Sequence, residues 1–159
     1  MLPNGLKMAM DWESGVAKLN GMLSAMGREL DLSDLKLDEK GNCPLSFGDA
    51  FMLRCSLDST GEHVTFYACV GSLPAEAEAF WERLLVANYF WKESAGSRVG
   101  LDPEAGNSVT LTQSIPMEFL DDELFYKHVE RFVNAMDYWE KRLAALQETK
   151  DRAAFLKLP

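Results

Sequence analysis

Apolar residues recur along this chain with two different periods, and each change of period marks a new element. Between Asp11 and Met26, the residues Trp12, Val16, Leu19, Leu23 and Met26 follow at steps of four, three, four and three. That spacing lays them on one stripe of an amphipathic helix. Gly27 stands where a helix terminator belongs. Asp31 to Gly41 is polar and closes on Glu39-Lys40-Gly41, a turn before something new.

The period then drops to two. Asn42 to Phe47 places Cys43, Leu45 and Phe47 on one face. Ala50 to Asp58 alternates Phe51, Leu53, Cys55 and Leu57 against Met52, Arg54 and Ser56. His63 to Val70 alternates Val64, Phe66, Ala68 and Val70 against Thr65, Tyr67 and Cys69. Turn residues separate the three segments, which predicts an antiparallel meander whose arginine-bearing face lies closer to water.

Ser72-Leu73-Pro74 reads as the start of a second helix, with Ser72 as cap and Pro74 in the first turn. Helical spacing links Ala77, Phe80, Trp81, Leu84, Leu85 and Asn88. Gly96 and Gly100-Leu101-Asp102-Pro103 interrupt it, and short strands are predicted at Ser97 to Leu101 and Ser108 to Ile115. Asp121-Asp122-Glu123 then suits a helix amino end. Phe125, Val129, Phe132, Met136, Trp139, Leu143 and Leu146 extend that helix for about 25 residues, roughly 38 Å. Glu148 to Pro159 reads as a charged tail prone to fray. The order α-βββ-α-ββ-α is that of a single α+β domain with a twisted antiparallel sheet and three helices. Its core spans about residues 11–147.

Charge narrows the function classes. The 159 residues include 16 Lys and Arg against 25 Asp and Glu, a formal charge of −9. This balance argues against a nucleic-acid binder, which needs a basic footprint, and against docking on an anionic membrane. No run approaches the ~20 apolar residues of a membrane span. Met1 to Met10 carries one lysine and no long apolar stretch, so it does not read as a signal peptide. The three cysteines, Cys43, Cys55 and Cys69, lie far apart in strand segments. The expectation is reduced, buried thiols in a cytoplasmic protein.

Candidate chemistry is sparse. His63 and His128 have no partner at zinc-site offsets. Gly96, Gly100 and Gly106 are not spaced as a phosphate loop, and there is no G-x-S-x-G elbow. Asp102 and Glu104 read as a solvated turn. No enzyme, metal or cofactor is expected. The surplus lies in apolar residues instead. Phe80, Trp81, Leu84, Leu85, Tyr89, Phe90 and Trp91 cover more than one face of the second helix and its exit, which predicts either central burial or a partner. Met8, Met10, Met22 and Met26 cluster on or before the first helix, where flexible thioethers suit varied apolar partners or fill gaps in a core.

Leu84-Leu85-Val86-Ala87-Asn88-Tyr89-Phe90, Gly96, Val99-Gly100-Leu101-Asp102, Val109-Thr110-Leu111-Thr112, Ile115-Pro116 and Phe119-Leu120-Asp121 occur in that order before the final helix. This succession resembles the type III secretion class I chaperones, the Tir chaperone family, over about Asp11 to Leu146. The resemblance implies a cytoplasmic, non-enzymatic homodimer that binds the amino-terminal region of a secreted effector as an extended chain and keeps it soluble for export. Part of that chain can add a strand to the sheet edge. It further implies a dimer interface at Phe80, Trp81, Leu84, Leu85, Asn88, Val99 and Leu101. Effector grooves are implied at Leu19, Met22, Leu23, Met26, Leu45, Phe47, Met52 and Leu53. Residues 1–10 and 148–159 lie outside the family's usual span and either cap a groove or are disordered. Two alternatives stand beside this one: a regulator of the same fold that binds a cytosolic partner, and a small-molecule domain with an enclosed polar pocket.

Overall fold

The computed structural model describes residues 10–32, 34–48, 51–73, 78–90, 94–102, 104–106 and 108–155. Helix α1 spans Trp12–Glu29, strands β1, β2 and β3 span Asn42–Phe47, Phe51–Leu57 and His63–Ser72, and α2 spans Glu78–Phe90. Strands β4 and β5 follow at Arg98–Leu101 and Ser108–Pro116, then a 3-10 turn at Met117–Phe119 and α3 at Asp122–Phe155. The five strands form one antiparallel sheet in the order β1-β2-β3-β5-β4.

Three boundaries differ from expectation. Gly27 does not end α1: the missing Cβ admits the Leu32 carbonyl oxygen, 2.7 Å from where that atom would stand, and the helix closes at Leu30, whose N–H reaches the Met26 carbonyl. Ser72 does not cap a helix, because β3 runs on past a bulge at Cys69/Gly71 and pairs Ser72 with Ser108. Residues 74–77, including the expected first-turn Pro74, lie outside the described residues. The charged tail is helical as far as Phe155, so α3 is 34 residues long and extends about 51 Å at 1.5 Å per residue.

The core forms where α3 crosses the sheet. Phe125, Phe132 and Trp139 recur at steps of seven and are fully buried. The first two rings meet Phe66 of β3 edge-on at 5.8 and 5.6 Å between centroids, the orientation that their quadrupoles favour. Trp139 meets Phe80 of α2 at 6.3 Å. Leu19, Met22, Leu23 and Met26 of α1 join the same core. The segment after α1 is tied back by Asn20, whose Oδ1 accepts from the Leu37 N–H at 2.8 Å. Cys43 and Cys55 are buried register partners, and desolvation pushes the Cys55 thiol far up. Cys69 departs from expectation: strand alternation turns it outward, and it is exposed.

At the amino end of α1, a Cβ on Gly15 would stand 2.6 Å from the Gly61 carbonyl oxygen, and Gly61 itself has φ +79°. Gly21 of the same helix faces open space. Gly21→Ala therefore gains stability by roughly 0.5–1 kcal/mol through helix propensity. Gly15→Ala loses stability despite the same propensity gain, because the helix must move off the turn. Urea unfolding of the two variants checks the opposite signs.

Candidate functional site

No helix among the described residues is long and apolar enough to cross a membrane. The described residues also contain no cluster of three metal-binding side chains. What the fold presents instead is edges and apolar faces. Both edge strands carry devices that follow from ladder geometry. The Asp102 N–H bonds the Ser108 carbonyl, so alternation turns the main-chain groups of Val99 away from β5. The side chain of Asn88 meets them there, accepting from the Val99 N–H at 2.8 Å and donating to its carbonyl at 2.9 Å. One amide thus stands in for a neighbouring strand.

At the other edge, the Leu57 N–H bonds the Gly41 carbonyl, which turns the main-chain groups of residues 42, 44 and 46 outward from β1. Asp38 covers the first of these: its N–H donates to the Asn42 carbonyl, and its carboxylate accepts from the Asn42 N–H at 2.8 Å. Hydrogen bonds from the Asn42 and Lys40 N–H groups, working against slight desolvation, hold the Asp38 carboxyl below its ordinary range. Pro44 has no N–H to expose, a usual defence of an edge strand. Ser46 keeps both its N–H and its carbonyl facing outward with no described neighbour strand. Beside it lies a depression of about 150 Å³ lined by Leu30, Phe47, Val129 and Val133, with Tyr126 and Glu130 among its other residues. Tyr126 also lines a cleft of about 380 Å³ between the end of α1 and the start of α3, with Glu29, Asp122 and Glu123 around it.

The residues singled out for effector grooves do not share one surface. Leu19, Met22, Leu23, Met26, Leu45 and Leu53 are at most 2% exposed. They are core as the chain stands, because the first-helix and sheet positions that the resemblance implies share the periodicity of inward packing. Phe47 is half-buried at the mouth of the small depression. Met52, 68% exposed, points from the opposite face of the sheet. The interface set divides similarly. Phe80, Leu84 and Val99 are buried, Leu101 is half-buried, and Asn88 clamps the β4 edge. Trp81 and Leu85 are exposed, and beside them stand Val86 and Tyr89, which were missing from the set. Helix α2 is therefore buried along one face and carries four exposed apolar residues on the other, with Glu82 and Arg83 exposed among them. Val133 was missed too, although it follows Val129 by four on α3; it packs partly buried against the core and lines the small depression.

Comparisons with known proteins add the context. The chain matches the Tir chaperone protein (CesT) family over residues 21–140. It is 31% identical over 109 residues to a Chlamydia pneumoniae protein, covering 67% of this chain and 81% of that one. The fold is that of the crystal structure of the ExsC–ExsE complex (TM-score 0.71, 24% identity, 84% of this chain and 97% of that one). The HopA1–SchA chaperone–effector complex is also similar (TM-score 0.64, 24% identity, 81% and 97%).

The burial pattern makes a sharp contrast between two methionines. Met22→Glu places an unpaired carboxylate in the core and unfolds the chain or costs several kcal/mol. Met52→Glu sits in water and shifts stability by no more than about 0.5 kcal/mol. Thermal melts followed by circular dichroism distinguish them; equal melting of both variants would contradict the placement of Met22.

Proposed function

Because the chain belongs to the Tir chaperone protein (CesT) family, we propose that it is a cytoplasmic, non-enzymatic type III secretion chaperone that captures the amino-terminal region of a secreted effector as an extended chain. The observation that carries this reading is the conjunction at β1. Outward main-chain groups at Ser46 lie next to an apolar depression formed by Leu30, Phe47, Val129 and Val133. A client strand pairing there gains main-chain hydrogen bonds, and a side chain directed inward fills the depression. Binding of this kind needs no nucleotide, and a client held as a strand cannot use that strand to aggregate.

The bare face of α2 supports the second part of the proposal, a homodimer. Trp81, Leu85, Val86 and Tyr89 form an apolar surface beside the β4 edge. Since Asn88 occupies the outward groups of Val99, two copies meeting here pack side chains at that position and do not extend the sheet through it. Its two aromatic rings match the aromatic enrichment of interface centres, with Glu82 and Arg83 exposed beside them.

Two substitutions test the parts separately. Ser46→Pro removes the outward N–H without touching the β1–β2 ladder, as Pro44 already does two residues earlier. Co-purification from the native host with mass spectrometry is expected to recover a stoichiometric secreted protein with the natural chain and at least fivefold less with this variant, at unchanged melting. Retrieval of a resident cytosolic protein in its place supports the regulatory alternative. Leu85→Glu, at a position 71% exposed, leaves the fold intact and halves the mass measured by light scattering. A dimer that survives it has its interface elsewhere.

A further inference from the structure

Helices α1 and α3 pack on one face of the sheet, and the register places the side chains of the other face in rows. One row crosses all five strands: Pro44, Arg54, Tyr67, Thr112 and Arg98. In a chain with 25 carboxylate side chains, the strand residues turned to this face include no Asp or Glu. Their only charges are Arg54 and Arg98. The Arg54 guanidinium lies 4.9 Å over the Tyr67 ring and forms no ion pair among the described residues.

The two nearby carboxylates are already engaged. Asp102 accepts from the Tyr67 hydroxyl at 3.2 Å and from the Glu104 N–H at 2.9 Å. Asp38 holds the Lys40 and Asn42 N–H groups. Beside Arg54 the sheet parts. The β2–β3 register ends at Arg54↔Tyr67, although both strands continue, and a trough of about 600 Å³ opens there with Asp38, Pro44, Met52, Arg54, Tyr67 and Cys69 among its lining. Ladder alternation directs the main-chain groups of Met52 and Cys69 into the gap.

We propose that this trough is a docking site for an acidic-apolar peptide segment, with an apolar side chain over Met52 and Pro44 and an adjacent carboxylate on Arg54. The proposal rests on the export-chaperone reading and adds to it the chemistry of a client segment. Charge decides the occupant. A carboxylate is repelled by a chain of net −9, but here the strand side chains offer it Arg54 and Arg98, and the carboxylate that lines the trough, Asp38, is turned to the Lys40 and Asn42 N–H groups. A guanidinium held over a tyrosine ring keeps its N–H fork for a two-pronged bond to a carboxylate. A basic segment finds Glu29 and Asp122 at the cleft on the other side of the molecule, where Glu123 is already paired with Lys127.

The test uses the full chain and two short fluorescent peptides, one alternating leucine with aspartate and one alternating leucine with lysine, read by anisotropy. The aspartate peptide is expected to bind, more weakly as salt rises. Arg54→Gln is expected to lower its affinity about tenfold, the loss of one charge-assisted contact, and Arg54→Lys to restore part of it. Met52→Ser, which leaves the arginine–tyrosine stack alone, is expected to weaken binding as well and carries the test if Arg54→Gln alters folding. Equal binding of the two peptides, or indifference to Arg54 and Met52, overturns the proposal. So does an oligothymidine strand that binds with the same dependence on Arg54, since the site would then read phosphate. Ser46→Pro is expected to leave aspartate-peptide binding unchanged. If it abolishes capture of the native partner while Arg54→Gln leaves the peptide bound, the trough proposal falls and the chaperone reading stands.

Discussion

The structure depends on a single lengthwise contact, the seam of α3 against β3. Phe66 sits between Phe125 and Phe132, and Trp139 continues the seam to α2 through Phe80. Aromatic rings at steps of seven keep one side of a long helix against the sheet, and each is large enough to dominate the apolar area removed from water. With this seam in place, α1 has only the remaining inner surface to cover, and it does so with Leu19, Met22, Leu23 and Met26. The two long helices then lie on one side of the sheet. The second face and the two edges are left to manage themselves.

They do so unequally, and the inequality is where function enters. At β4 an asparagine amide replaces the missing strand. At β1 an aspartate and a proline neutralise two of the three outward positions and leave the third, at Ser46, unprotected next to an apolar depression. An open edge is a liability in a soluble protein, so an edge guarded everywhere except beside a pocket suits capture of another chain. The exposed apolar face of α2 carries the same implication for a second copy. Net charge of −9 opposes indiscriminate association of these surfaces. The same excess of acid makes the arginine-bearing sheet face distinct.

Where the period is clean, the amino-acid pattern alone makes the elements legible. Strand β1 runs Asn42–Phe47 as the alternation of Cys43, Leu45 and Phe47 predicts, and the α1 and α3 stripes point inward. Local signals mislead where a tertiary contact overrides them. Gly27 looks like a terminator but is a place where the Leu32 carbonyl approaches the helix. Ser72 looks like a cap but is held in β3 by Ser108. The charged residues after Leu146 look like a fraying tail, yet charged residues are good helix formers and the helix continues.

The candidate surfaces are least legible, for one physical reason. A residue that fills a core and a residue that lines a groove are both apolar and share the same spacing, so Leu19 and Leu53 are selected as readily as Phe47 and Met52. The order of elements, the inward stripes, the acidic balance and the family likeness are all written in the sequence, because each is a local pattern or a sum. Folding adds the rest. It settles which apolar residues stay outside, that Asn88 closes one edge while Ser46 opens the other, and that Arg54 and Arg98 share a row free of acid. Those facts arise from register and packing between segments far apart in the chain, and no local pattern carries them.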